Sequence, residues 1–162
     1  MISIIVPVFE SEKTIKRCLE SILNQSYQDF EIVVVYTEGN DKTLDVINSL
    51  HDSRIRVVYQ RQEGGPGGAR NIGIDSSTGE YLGFVESDDF IEKDFYRKLY
   101  QRIENDKSDI AWGEICCQNK NTMWTLHDQN SVETVFFEKY RKISNGASFD
   151  KLFKASLIKN HL

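Results

Sequence analysis

Three carboxylates follow a short apolar run in Tyr81-Leu82-Gly83-Phe84-Val85-Glu86-Ser87-Asp88-Asp89-Phe90. Tyr81 to Val85 reads as a buried strand, and Glu86, Asp88 and Asp89 stand where that strand must leave its sheet. Carboxylates this close repel by roughly 4 kcal/mol per pair at an effective dielectric of about 20. A divalent cation would relieve the repulsion, and hard oxygen ligands suit Mn2+ or Mg2+ rather than zinc, with a diphosphate able to complete the shell. The same residues also suit a plain acidic turn that caps the next helix, since Ser and Asp are good N-cap residues. The segment alone leaves both readings open.

A second candidate lies just upstream. Glu63-Gly64-Gly65-Pro66-Gly67-Gly68 is the only Gly/Pro-rich stretch, and it runs into a helix expected to begin near Ala69-Arg70-Asn71. Glycine backbone opening a helix offers unpaired N–H groups and a positive helix end to an anion, and Arg70 adds a forked donor beside it. The stretch has no Lys-Ser/Thr after its glycines, so it is not a Walker A loop, and it does not follow the first strand as a dinucleotide fingerprint would. Alone, a plain turn explains it better. Facing a carboxylate triplet, it describes a site for a metal-bound diphosphate.

The elements that must bring these pieces together alternate along the chain. Ile2 to Phe9 reads as a central strand buried on both faces, and Ser11 as the cap of a helix whose buried face is Ile15, Leu19, Ile22 and Leu23. Phe30 to Tyr36 is a second strand, Leu44, Ile47 and Leu50 mark a short helix, and Ile55 to Gln60 is a third strand nearer an edge. After the 81–85 strand come a helix with Phe95, Leu99 and Ile103 on one face and a strand over Asp109 to Cys117. Asn119 to Asn130 reads as a loop or hairpin, Val132 to Ile143 as a helix, and Phe149 to Ile158 as a further helical piece. This alternation implies a doubly wound α/β sheet, mostly parallel and flanked by helices. The loops Pro7 to Ser11, Tyr36 to Asp41, Gly64 to Asn71 and Glu86 to Asp89 then share the rim beyond the carboxyl ends of the strands, where ligands bind.

Composition narrows the function. A chain of 162 residues is one domain, able to bury about 70% of its unfolded surface without metal or disulfides. Its 25 acidic and 20 basic residues give a net charge of -5 with no basic stripe, which argues against nucleic acid as a partner. Cys18, Cys116 and Cys117 have neither zinc-site nor disulfide-framework spacing and read as small core residues. No basic leader precedes Ile2, and no apolar run approaches the roughly 18 residues of a membrane span, so a cytoplasmic protein is expected.

Five segments carry a resemblance. Ile4-Ile5-Val6-Pro7-Val8-Phe9-Glu10, Ser21-Ile22-Leu23-Asn24-Gln25-Ser26-Tyr27, Ala69-Arg70-Asn71-Ile72-Gly73-Ile74, Thr78-Gly79-Glu80-Tyr81 and Glu86-Ser87-Asp88-Asp89, taken together, resemble the family 2 glycosyltransferases of the GT-A fold. Phe149-Asp150-Lys151-Leu152-Phe153-Lys154 is similar to the segment that precedes the acceptor side in bacterial polysaccharide-forming members. The resemblance implies transfer of a sugar from a nucleoside-diphosphate donor, UDP-linked foremost, to a hydroxyl of a glycan or lipid-linked acceptor. Inversion, a divalent metal, cell-surface or capsular polysaccharide synthesis and work at the inner face of the membrane come with it. It implies Asp88 as principal metal ligand, Glu86 at the ribose or metal with Ser87 beside it, and Asp89 in support. Pro7, Val8, Phe9 and Glu10 would line the base and ribose pocket, and Gly68, Arg70 and Asn71 would close the nucleotide side. Residues 1–100 would form the donor half of a single domain and 101–162 the start of an acceptor side.

The chain departs from the family pattern in three places. Tyr36 and Thr37 stand where two aspartates are usual, so Thr37 or Glu38 substitutes, Tyr36 stacks on the base, or the nucleotide is unusual. Glu86 replaces the first aspartate of the metal motif. The family's general base lies beyond Leu162, and His127 and His161 fall in no motif, so a C-terminally cut enzyme is expected. The alternative is a nucleotide-binding module without catalysis. A sugar nucleotidyltransferase would carry its Gly-rich loop after the first strand, where Pro7 to Ser11 has no glycine.

Overall fold

A computed structural model of the chain describes residues 1–61, 64–113, 116–118, 121–124, 132–135 and 151–159. Strand β1 (Ile2–Val8) is buried at every position, as its unbroken apolar run requires. Helix α1 (Ile15–Leu23) buries Ile15, Cys18, Leu19 and Ile22, one stripe at helical spacing. It is not capped by the Ser11 side chain as expected. Thr14 holds the N-cap position with no side-chain bond, and Ser11 serves through its carbonyl, which accepts from the Thr14 and Ile15 amides at 3.0 and 2.9 Å. Strand β2 (Phe30–Thr37), helix α2 (Thr43–Asn48) and strand β3 (Ile55–Gln60) follow.

Helix α3 (Gly65–Ser76) starts four residues before Ala69, because the glycines that read as a loop form its first turn. Pro66 near the helix start is tolerated, since its missing N–H has no partner to lose there. Strand β4 (Tyr81–Phe84), the short strand β5 (Phe90–Ile91) and helix α4 (Phe95–Asp106) come next. The expected strand over Asp109 to Cys117 is two strands, β6 (Ile110–Gly113) and β7 (Cys116–Gln118). Strand β8 (Asn121–Trp124) pairs antiparallel with β7, as a hairpin reading of this stretch allows. Two helical expectations fail. Val132 to Val135 is a strand, β9, and Lys151 to Lys154 is a strand, β10, with only Ala155–Lys159 helical (α5). Both strands pair antiparallel with β6, so sheet hydrogen bonding overrides the helical pattern. Residues 136–150, and with them the rest of the expected 132–143 helix, lie outside the described residues, as do His127 and His161.

The main sheet has seven strands in the order β3-β2-β1-β4-β10-β6-β9, and β5, β8 and β7 form a second sheet. Strands β3, β2, β1 and β4 are parallel, in register Ile2 to Phe30 and Ile2 to Tyr81, and β3 is the edge strand that its half-exposed pattern foretold. Alternation along the strands splits the core into two layers. Ile2, Ile4, Val6 and Val8 pack with α1 and α4 on one face, whereas Ile5, Val33, Val35 and Leu82 pack with α3 on the other. Chain order reverses between β1 and β4, so the crevice beyond their carboxyl ends is the switch point of the sheet.

The amino end of the sheet is tied by Glu31. Its carboxylate accepts from Ser3 Oγ at 2.6 Å, from the Thr78 amide at 2.7 Å and hydroxyl at 2.8 Å, and from Arg56 at 3.1 Å. Desolvation pushes the Glu31 pKa up, yet these hydrogen bonds outweigh it and hold the carboxyl at about 2. A depressed carboxyl pKa stabilises the fold above the unfolded value, and that contribution is lost as pH falls from about 4.5 toward 2. After discount for solvent screening, Glu31→Gln is expected to shrink the loss of stability between pH 6.5 and pH 3 by about 1 kcal/mol. Urea unfolding at the two pH values measures it, and an unchanged difference would refute the assignment.

Candidate functional site

Loops after β1, β2 and β4 meet the start of α3 around one pocket of about 470 Å³, lined by Pro7, Val8, Phe9, Thr37, Gly65, Pro66, Ala69, Glu86 and Ser87. That volume lies within the range of small-molecule sites. Each wall has a local cause. Pro7 and Val8 belong to β1, whose pairing with β2 and β4 carries them to the crevice, and Phe9 stands 52% exposed just beyond. The start of α3 supplies the opposite wall and a positive helix end, with the Gly65, Gly67 and Gly68 amides in its first turn.

Glu86 and Ser87 come from the turn after β4, closed by the Asp89 amide donating to the Glu86 carbonyl at 3.0 Å. The Glu86 carboxylate forms an ion pair with Arg70 of α3, each about a quarter exposed. Arg70 therefore spans from the helix to the acidic turn, and its Nε is buried with no acceptor among the described residues. From the other side, Arg17 lies over the Phe90 ring at 4.4 Å and donates to the Asp88 carbonyl at 3.1 Å. The Cys18 thiol donates to the Glu86 carbonyl at 3.3 Å, and burial first, then the nearby Asp89 and Asp88, push its pKa up. It is a core group, not a nucleophile.

Not all the expected site residues reach the pocket. Tyr36 is 4% exposed, sits edge-on to Tyr59 and accepts from the Gly39 amide, so it is part of the core and not a stacking platform for a base. Thr37, one residue on, lines the pocket instead. Glu10 is not among the lining residues and turns to the loop after β2, accepting from the Asn40 amide at 3.4 Å, with a positive φ of 44°. Glu38 and Asn71 are exposed, and with Gly68 they fall outside the pocket lining.

The acidic triplet also divides. Asp88 is exposed, Glu86 borders the pocket, and Asp89 is buried at 8% exposure. Among the described residues no group of three or more His, Cys, Asp or Glu gathers into a ready cation cage. The fit to a divalent cation is therefore that of two hard oxygen donors, Asp88 and Glu86, with a ligand's own oxygens supplying the rest.

Gly65, Pro66 and Ala69 line the pocket without having been singled out, although their stretch was. Ser11 and Gln60 were missed entirely as site residues. Ser11 Oγ lies 2.7 Å from Ser87 Oγ, and Gln60, 7% exposed at the end of β3, donates to the Gly65 carbonyl at 3.0 Å.

Comparison with known proteins bears on this site. A family model described as glycosyl transferase family 2 matches residues 3–161. Glycosyltransferase GlyA of Streptococcus pneumoniae serotype 4 is 33% identical over 161 residues, covering 98% of this chain and 22% of that protein. A poly(ribitol-phosphate) beta-glucosyltransferase of Bacillus spizizenii is 33% identical over 166 residues, covering 99% and 26%. The crystal structure of S. aureus TarS 1-349 in complex with UDP-GlcNAc superposes with a TM-score of 0.74 at 25% identity, covering 99% of this chain and 47% of that one. The chain thus spans less than half the length of each of these. Among the described residues no helix is long and apolar enough to cross a membrane.

The α3 wall depends on a missing side chain. A Cβ on Gly64 would lie 2.1 Å from the Gln60 amide nitrogen and displace it from the Gly65 carbonyl. Gly64→Ala is expected to cost about 1 kcal/mol, the worth of one buried hydrogen bond, and to cost nothing in a Gln60→Ala background. Chemical denaturation of both single variants and the double variant reads this, and additive losses would show that the two residues act separately.

Proposed function

This chain belongs to glycosyl transferase family 2, and on that premise we propose that its pocket holds the nucleoside diphosphate of an activated sugar, UDP-linked foremost, for inverting transfer to a hydroxyl acceptor. One observation carries the reading. At the switch point of the sheet, an apolar shelf of Pro7, Val8 and Phe9 faces an acidic turn and a positive helix end across a single pocket. A nucleoside diphosphate has the matching parts: a flat base, a polyhydroxyl sugar and a dianion.

The residues divide the work accordingly. Phe9 and Pro7 pack against the base, with Thr37 as a polar contact at the place where the family usually has a carboxylate. The amides in the first turn of α3 and the Arg70 guanidinium stabilise charge on the departing diphosphate. Arg70 also neutralises Glu86, leaving Asp88 as the stronger anionic oxygen for Mn2+ or Mg2+, with Asp89 supporting the turn from within. Asp88 and Glu86 would hold such a cation, which would supply further charge neutralisation at the diphosphate. Transfer also requires a base at the acceptor hydroxyl, a role we assign to no residue of this chain. The acceptor in this reading is a glycan or lipid-linked hydroxyl, and one relative's name, poly(ribitol-phosphate) beta-glucosyltransferase, supports a polymer in that role. The alternative, nucleotide binding without transfer, draws on the burial of Tyr36, and would show as metal-dependent binding with no release of sugar from a UDP-sugar.

Thermal unfolding with UDP, GDP, CDP and dTDP, each with and without Mn2+, tests the site. A nucleotide at 100 times its dissociation constant stabilises by roughly 2.7 kcal/mol, a shift of several degrees for a domain of this size. One nucleotide should give a Mn2+-dependent shift, and Asp88→Ala should remove the Mn2+ dependence. No shift with any nucleotide would sink the proposal.

A further inference from the structure

Strand β3 ends one side of the main sheet, and its bonding to β2 shows which of its backbone groups face out. The Ile32 amide donates to the Arg54 carbonyl at 2.8 Å, so in this parallel pair the peptide groups of Arg54, Arg56, Val58 and Gln60 turn to β2. Those of Ile55, Val57 and Tyr59 turn outward. The Asp52 carbonyl takes the Ile55 amide at 3.1 Å. The Val57 and Tyr59 amides and all three carbonyls are then without a partner among the described residues. Such an edge is a template for another strand unless proline, a bulge or charge blunts it. β3 contains no proline, and its arginines are turned back on their own chain. Arg54 pairs with Asp52 at 2.8 Å, and Arg56 bonds Glu31 at 3.1 Å and the Ser76 carbonyl. What stays outside is apolar: Ile55, Val57 and Val58 are half-buried, and Tyr59, 65% exposed, is the most exposed large hydrophobic residue described.

These outward groups are complementary to a copy of themselves. Antiparallel pairing about a two-fold axis at Val57, normal to the sheet, sets Val57 opposite Val57 and Ile55 opposite Tyr59. The two Val57 residues exchange both their bonds, and each Tyr59 amide meets the Ile55 carbonyl of the other copy. The apolar rows meet as well. Ile55 and Val57 lie on the face of α1 and α2, so Ile55 packs against Tyr59 there, while on the α3 face the stem of Arg56 runs beside Val58. Arg61 falls opposite Ser53, so no like charges are opposed. Moving the axis to Tyr59 would instead set Val57 against Arg61. We propose that the outer edge of β3 is an interaction surface for a second copy of this chain, joined edge to edge in a closed two-fold dimer that continues the main sheet across the axis. The proposal is independent of what the pocket binds.

Sedimentation velocity over a concentration series tests the association, and cysteine cross-linking tests the register. The unaltered chain should pass from monomer to dimer as concentration rises. Mild oxidation of Val57→Cys should give a disulfide-linked dimer, because a hydrogen-bonded antiparallel pair holds its Cα atoms about 5.5 Å apart, within reach of a disulfide. Tyr59→Cys, although at the more exposed position, should link far less, since its counterpart is Ile55. The unaltered chain oxidised alongside gives the background from Cys18, Cys116 and Cys117. Tyr59→Lys sets a cation against Ile55 at both ends of the pairing and should weaken the dimer about tenfold. Thermal unfolding shows whether each variant is folded, and if Val57→Cys is not, sedimentation of the unaltered chain and of Tyr59→Lys decides. A chain that stays monomeric at every concentration, a dimer that Tyr59→Lys leaves unchanged, or a Tyr59→Cys that links as readily as Val57→Cys would each overturn the proposal.

Discussion

Pairing of β1 on both edges, with β2 on one side and β4 on the other, is the constraint from which the rest follows. A strand buried on both faces and bonded along both edges has no freedom of register, because a slip of one residue would exchange its two core faces. Ile4 and Ile5 are each 0% exposed, toward opposite layers. The chain can leave such a strand only at its end, so Phe9 to Ser11 must emerge beside the turn that leaves β4. The pocket is a consequence of that geometry.

Buried polar groups then fix what apolar packing leaves loose. Gln25 is fully buried, with Nε2 donating to the Glu92 carbonyl at 2.7 Å and Oε1 accepting from the Tyr96 amide at 3.1 Å, which locks α1 to the start of α4. Ser3 links β1 to Glu31 of β2 and accepts from the Gly79 amide at 2.8 Å ahead of β4. Such groups are costly to bury unpaired, so each satisfied network favours one arrangement over its neighbours. Directional bonds at the amino end of the sheet and at the pocket rim thereby hold the two ends of the same strands.

Charge at the rim is balanced locally. Arg70 reaches Glu86 from α3, and Arg17 reaches the Asp88 carbonyl from α1, so the acidic turn is gripped by cations from both faces of the sheet. Neither cation closes the pocket, whose open wall is the apolar shelf and the helix start. Among the described residues these carboxylates form no cation cage of their own, which leaves room for charge brought by a ligand.

The sequence by itself determined the alternation of strands and helices through residue 106, the central place of β1, the edge position of β3 and the rim where four loops gather. Those follow from apolar periodicity and turn chemistry, which are local. It also marked the Gly-rich stretch and the acidic triplet. Tertiary structure decided the remainder. Val132–Val135 and Lys151–Lys154 became strands because β6 offered them an edge to pair with, a partner no local pattern reveals. Tyr36 became core because the alternation of β2 turns it to the layer of α1 and α2, while Thr37 faces the pocket. The bond between Ser11 and Ser87, 76 positions apart, exists only because β1 and β4 are neighbours. Residue type supplied the chemistry available to this site, and long-range strand pairing decided which of those groups meet.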